Sequence, residues 1–276
     1  LEVGYKLSVD KVNLSFLANA SYVKNEIKNL GNQTGYIDKE SLPTLGTVSR
    51  NENGYPIGYF FGYKAIGVFQ TQEEIDSYIS PATGKPIQPN AAPGDTKFED
   101  LNGDGVISDD NEDRTMIGKP NPDWMVGLTV AADWNGFDLS AFFQGSFGAD
   151  VFDALRRYEL AAVNYTSDAL ERWTGPGTSN SMPRIVLGDT PKNFRPSTLL
   201  VHDASFLRLR NLQVGYTLPA QLTRKAYIQR LRFYASFDNL LTITGYKGMD
   251  PEIGSTMGID KGCLLYTSPS PRDISG

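Results

Sequence analysis

The stretch MVGLTVAADWNGFDLSAFFQGSF, Met125 to Phe147, decides the fold. Its first half alternates with period two. Val126, Leu128, Val130, Ala132 and Trp134 share one face, and Gly127, Thr129, Ala131 and Asp133 share the other. The second half repeats the pattern, with Phe137, Leu139, Ala141, Phe143 and Phe147 opposite Asp138, Ser140, Gln144 and Ser146. Successive side chains of a strand point to opposite faces, so each half reads as an amphipathic strand of about ten residues. Asn135-Gly136 lies between them, and both positions tolerate positive φ, which makes the pair a hairpin.

Two more pairs of this kind occur along the chain. Val3, Tyr5, Leu7 and Val9 lead through a tight turn near Asp10-Lys11 to Val12, Leu14, Phe16, Ala18, Ala20 and Tyr22. Leu212, Val214, Tyr216 and Leu218 lead through a link containing Pro219 to Leu231, Phe233, Ala235 and Phe237. The connections between hairpins, about Asn25 to Asp123 and Gly148 to Asp203, are long. Long strands joined by alternately short and long connections meet the requirement of an outer-membrane barrel. The apolar, aromatic-rich faces would meet lipid and the polar faces would line the lumen. A soluble β-sandwich produces the same alternation, but strand length and the alternation of links favour the barrel. Leu207 and Leu209 are out of phase with the strand that follows them, and a bulge before Asn211 accounts for the switch.

Composition bounds the function. The chain has 276 residues, 26 basic and 32 acidic, for a formal net charge of −6. It has no basic stripe, so nucleic acid is not an expected partner. One cysteine (Cys263) and one histidine (His202) rule out a disulfide framework and a Cys/His zinc cluster. No apolar run reaches the length of a membrane-spanning helix, a test that does not touch β-barrels. The absence of an initial Met and of a signal-peptide pattern points to an internal fragment.

The sharpest chemical motif is Asp100-Leu-Asn-Gly-Asp-Gly-Val-Ile107. Asp100, Asn102 and Asp104 put oxygens at positions 1, 3 and 5, Gly105 allows the turn at 6, and the Val106 carbonyl follows at 7, as in the first half of an EF-hand-type loop. The expected metal is Ca2+ in a structural role, rigidifying a long exposed loop. Asn111 stands where the bidentate acid belongs at position 12, so Asp113, or Asp109 and Asp110, would have to complete the shell. The alternative is an acidic turn without metal, because Asn-Gly and Asp-Gly are common turn dipeptides.

Nothing in the sequence supports catalysis, and the chain is expected not to be an enzyme. His202 beside Asp203 and near Ser205 lacks the spacing from which a triad is built and reads as a loop histidine. Glu73-Glu74 reads as the first turn of a helix capped by Thr71 rather than as a glycosidase acid pair. Gly54 to Phe69 (GYPIGYFFGYKAIGVF) is too aromatic for a disordered linker and is expected to form an ordered surface loop with strand character. Val151 to Trp173, with Leu155, Tyr158 and Ala162 at helical spacing, is expected to hold a short helix.

These stretches resemble SusC/RagA-type TonB-dependent outer-membrane transporters. The resemblance is carried by GYFFGYKAIGVFQTQEEI (Gly58 to Ile75), PGDTKFEDLNGDGVI (Pro93 to Ile107), DRTMIGKPNPDWMVGL (Asp113 to Leu128), FDLSAFFQGSFGADVF (Phe137 to Phe152), ERWTGPG (Glu171 to Gly177), FLRLRNLQVGYTLP (Phe206 to Pro219) and FYASFDNLLTITGYKGMDPE (Phe233 to Glu252). It covers about residues 1–260 in the family's order.

The resemblance implies an all-β fold, the C-terminal strands of a 22-stranded transmembrane barrel with long extracellular loops, in the outer membrane of a Gram-negative cell. It implies import of an oligosaccharide or a peptide, a SusD-like surface lipoprotein over the barrel, and coupling to the TonB complex through an N-terminal region that this chain lacks. Cargo contacts would come from lumen-facing polar residues and from the aromatic segment Gly54 to Phe69, whose rings either stack on sugars or pack. The competing expectation is a secreted, calcium-stabilised β-sandwich that binds glycans. Residues 261–276 (KGCLLYTSPSPRDISG) have no alternation where the family continues into a last strand. They resemble translated sequencing-adapter sequence and are read as a non-native tail outside the fold.

Overall fold

The computed structural model describes residues 1–38, 45–110, 112–154, 165–248, 250–252 and 263–264. In chain order the strands are β1 (Glu2–Val9), β2 (Val12–Tyr22), β3 (Tyr36–Asp38), β4 (Ser49–Glu52), β5 (Tyr59–Tyr63), β6 (Ala65–Val68), β7 (Thr96–Phe98), β8 (Arg114–Gly118), β9 (Trp124–Trp134), β10 (Phe137–Phe147), β11 (Asp150–Asp153), β12 (Val201–Asp203), β13 (Phe206–Thr217), β14 (Arg232–Thr244) and β15 (Cys263–Leu264). Two short α-helices accompany them, α1 (Gln72–Ser77) and α2 (Ala220–Thr223). Two compact units result. Leu1–Lys24, Pro122–Ala149 and Asp203–Glu252 form the first, and the long connections form the second.

The first unit is one antiparallel sheet in the order β1-β2-β9-β10-β13-β14. All three hairpins expected from alternation are present. At the β9–β10 turn Asn135 and Gly136 both have positive φ, 47° and 89°, the left-handed pair that a two-residue turn between twisted strands demands. The link from β13 to β14 is longer than a tight turn and carries α2 and a 3₁₀ turn, Arg224–Ala226.

Pairing register aligns the apolar residues into rows. Val9, Val12, Trp134, Phe137, Tyr216 and Phe233 lie side by side at the hairpin end, and Tyr22, Trp124 and Phe147 do so at the other end. The end rows are aromatic, with ring centroids 4.4 Å apart for Phe137 and Tyr216 and 4.9 Å for Tyr22 and Trp124. Aliphatic residues dominate the rows between them. Trp124 and Trp134 are ten residues apart, about 34 Å along a strand. A tilt of ~40° reduces this to about 26 Å, the height of the apolar band of an outer-membrane barrel.

The phase switch near Arg210 is a bulge, as its alternation requires. The β13–β14 pairing jumps from Leu209↔Leu241 to Asn211↔Asp238, and the β10–β13 register shifts at the same level. The jump restores Leu207 and Leu209 to the apolar face beside Phe143, Leu241 and Ile243. Many large apolar side chains of this face, among them Val3, Tyr5, Leu128, Phe237 and Ile243, are exposed. A sandwich would have covered them with a second sheet, so the sandwich expectation fails here.

The second unit contains the sheets β3-β4-β5-β8, β6-β7 and β12-β11-β15. Its core is Val48, Phe60, Phe152 and Leu200, with Ile117 packed against it. The expected helix start is present. Thr71 caps α1 by accepting the Glu74 N–H at 3.3 Å, with Glu73 and Glu74 in the first turn. His202 lies on β12 rather than in a loop. The helix expected from Leu155, Tyr158 and Ala162 falls outside the described residues. Its described flanks are β11 and a 3₁₀ turn, Ser167–Glu171. Most of residues 261–276 also lies outside them; Cys263 and Leu264 form β15, paired in parallel with Phe152 and Asp153.

Candidate functional site: polar sheet face, aromatic segment and acidic loop

The polar face of the six-stranded sheet is a network rather than a row of independent side chains. Arg232 donates to both carboxylate oxygens of Asp138 at 3.0 and 2.5 Å and to Gln213. A second cluster surrounds the bulge. Arg208 donates to Thr242 (2.9 Å), Asp250 (2.7 Å) and Glu252 (3.1 Å). Arg210, at the bulge itself, donates to Gln144 (2.8 Å) and Asn239 (3.1 Å) and holds both oxygens of Glu252 at 2.7 and 2.6 Å. Planar guanidinium forks suit such paired contacts. Asp250 and Glu252 thereby tie the chain after β14 back to the polar face. Alternation alone did not single out this cluster. The available signal was Arg208 and Arg210 flanking Leu209, and only the bulge shows that both reach the same carboxylate.

Five of the six rings of the aromatic segment pack in the interior, and Tyr55 stays exposed. Tyr59, Phe60, Phe61, Tyr63 and Phe69 are all buried, while Tyr55, Ile57 and Ile66 are exposed; the expected strand character is present as β5, buried throughout, and β6, only partly so. Arginines interleave with the rings. Arg50 lies over Tyr36 (4.2 Å) and Phe61 (3.6 Å), Arg114 over Phe61 (4.4 Å) and Tyr63 (5.8 Å), and Arg195 over Tyr63 (4.7 Å) and Phe98 (5.0 Å). Desolvated cation–π contacts of this kind are worth up to about 2 kcal/mol each. Asp38 supplies a counter-charge to Arg50, and Glu52 accepts the Tyr59 hydroxyl. Burial, reinforced by that glutamate, pushes the Tyr59 phenol well above its ordinary range. Burial lowers the Arg114 guanidinium, which donates to the carbonyls of Phe61 (2.6 Å) and Thr47. Arg114→Met keeps the bulk of the stem and leaves both carbonyls without that donor. The expected cost is about 1–2 kcal/mol, read by thermal unfolding.

The acidic loop closes on itself. Asp100 accepts the N–H groups of Gly103 (2.8 Å) and Gly105 (2.9 Å), Asn102 that of Asp104 (3.0 Å), and Asp104 that of Val106 (2.8 Å). Gly105 has φ +88°, and a Cβ there would lie 2.6 Å from the Ser80 hydroxyl, so no other residue fits this turn. Asp113 is fully buried and accepts from Leu101 (3.1 Å) and Ser108 (3.2 Å), binding the start and middle of the loop to its end. Burial pushes its carboxyl up. Asp109 is engaged elsewhere, by Lys192, whose hydrogen bond holds its carboxyl below the usual range. Asp110 takes the Ser108 hydroxyl. Of the candidate closing acids, Asp113 is the one tied to the rest of the motif. Among the described residues, no three acidic side chains converge as a formed metal cluster.

No family model matches the chain. Among curated proteins it is 35% identical over 200 residues to TonB-dependent receptor P3 of Formosa agariphila, covering 72% of this chain and 19% of that protein. It is 30% identical over 262 residues to TonB-dependent receptor P26 of the same organism, covering 91% and 25%. It is 29% identical over 260 residues to TonB-dependent receptor SusC of Bacteroides thetaiotaomicron, covering 93% and 23%. Among solved structures, a RagAB peptide transporter aligns with a TM-score of 0.68 at 26% identity, covering 91% of this chain and 26% of that one. The RagAB peptide importer in its open-open state aligns with a TM-score of 0.67 at 24% identity, covering 95% and 26%. The chain thus spans about a quarter or less of the length of these proteins.

Proposed function

Because the chain belongs to the SusC/RagA family of TonB-dependent receptors, we propose that it forms part of the outer-membrane barrel of an energy-coupled importer. The observation that carries this reading is the aligned pair of aromatic rows on the apolar sheet face, set one bilayer core apart, opposite a hydrogen-bonded polar face. The apolar face meets lipid. The polar face lines the path of an oligosaccharide or peptide cargo. A SusD-like lipoprotein covers the outer opening, and TonB acts through a separate plug-bearing region. β1 and β14 are edges of the sheet, and open edges are not tolerated in hydrocarbon. Further strands on both sides, outside residues 1–260, therefore close the barrel.

The Arg208–Arg210 cluster gives the lumen a fixed polar wall, since multiply hydrogen-bonded guanidinium pairs at a bulge resist rearrangement more than single side chains do. The polar face offers a transport surface. Fractionation of the full receptor tests the reading. It should partition with outer membranes and migrate faster before heating than after, as closed barrels do, whereas recovery in the soluble fraction would sink it.

The acidic loop is proposed to hold structural Ca2+ through Asp100, Asn102, Asp104, the Val106 carbonyl and Asp113. All five are oxygen donors, as a hard cation requires, and buried Asp113 is hydrogen-bonded to both the start and the middle of the loop. Isothermal titration of the receptor should give a calcium-binding heat that Asp104→Ala reduces at least tenfold in affinity. Identical heats in the two proteins would remove Asp104 from the site.

A further inference from the structure

The link between β13 and β14, residues 218–231, is the most basic apolar stretch of an acidic protein. It reads LPAQLTRKAYIQRL, with Arg224, Lys225 and Arg230 and no acidic residue. Its apolar side chains are left in the open. Leu222 is 58% exposed, Ile228 is exposed, and Tyr227, which ends the 3₁₀ turn in the left-handed conformation, is 99% exposed. The base of the link sits level with the β9–β10 turn. The Thr217 N–H donates to the Gly136 carbonyl at 2.7 Å, and the Leu218 N–H donates to the Leu231 carbonyl at 2.9 Å. It therefore begins directly beyond the aromatic row Trp134, Phe137, Tyr216 and Phe233, at headgroup depth.

We propose that this link is an interfacial foot that binds anionic phospholipid headgroups of the leaflet on the short-turn side of the membrane. Leu222, Tyr227 and Ile228 enter the boundary between headgroups and chains, and Arg224, Lys225 and Arg230 meet the phosphates. The pattern of aromatic and aliphatic anchors beside cations without acids is that of segments lying in a membrane interface. It also continues the belt already placed at that depth by β9, β10, β13 and β14. A face docking a periplasmic protein would need no such continuity with the lipid-facing row. The inference rests on the membrane-barrel reading, so barrel closure is read separately, from heat-modifiable migration of the same samples.

The test uses the full receptor in nanodiscs of phosphatidylcholine with or without one part in five phosphatidylglycerol. The variants are Tyr227→Cys carrying an NBD label and the triple variant Arg224→Gln, Lys225→Gln, Arg230→Gln. The label should emit as in an interface, be quenched by lipid-borne nitroxides and be shielded from aqueous iodide. The wild type should retain phosphatidylglycerol over phosphatidylcholine in native mass spectra. The triple variant should lose that preference by about fivefold per cation removed. Quenching by iodide but not by lipid nitroxide, in a closed barrel, overturns the foot and points to the lumen or to a protein partner. A lipid-shielded label with no loss of phosphatidylglycerol preference in the triple variant overturns the headgroup assignment.

Discussion

Leu128→Arg lowers the stability of the receptor in phospholipid vesicles by about 2–4 kcal/mol, the cost of a cation at the bilayer midplane on the lipid side of a barrel strand. Leu128 lies near the middle of β9, between the aromatic rows, on the apolar face beside Ala18 and Phe143. It is 38% exposed, so no neighbouring side chain shields an arginine there. The matched control is Ser140→Arg, one strand over on the polar face between Ala131 and Gln213. There the guanidinium faces water and the change should stay within about 0.5 kcal/mol. Urea unfolding of the two variants reads the difference directly. Equal costs would mean that the two faces do not meet different solvents, and the membrane reading of the sheet would fall.

Phe60→Ala destabilises the second unit by about 3–5 kcal/mol through lost burial and the cavity left behind. Phe60 is 0% exposed and packs with Val48, Phe152 and Leu200, its ring centroid 5.8 Å from that of Phe152. Limited proteolysis of the receptor, combined with thermal unfolding, should report the loss. Cargo affinity should fall only as the folded fraction does. A variant of unchanged stability that had lost cargo would restore the stacking role that burial has removed from this ring.

Both predictions rest on parts of the protein that were unequally legible in its sequence. Met125–Phe147 states its own structure, because period-two alternation around Asn135-Gly136 leaves one local solution. Thr71 as a cap was equally local. Gly54 to Phe69 was legible as ordered but not as interior. Composition says that a ring needs burial, but not whether a ligand or the protein buries it. The interleaving of Arg50, Arg114 and Arg195 with those rings draws on segments up to about 160 residues apart, and no window of sequence contains it. The acidic loop was legible in its residues. Asp113 was legible as a candidate closing acid, but its burial and the drawing off of Asp109 to Lys192 were not.

The sequence by itself determined the alternation, hence the strands, their faces and the hairpins, because side-chain direction in a strand follows from backbone geometry alone. Tertiary structure decided the register. Register sets the aromatic rows at two levels, puts Arg208 and Arg210 on one carboxylate through a bulge, and turns the aromatic segment into a core. Each of these depends on which residues of distant strands become neighbours, a choice made by packing and hydrogen bonding across the sheet rather than by any residue's own preference.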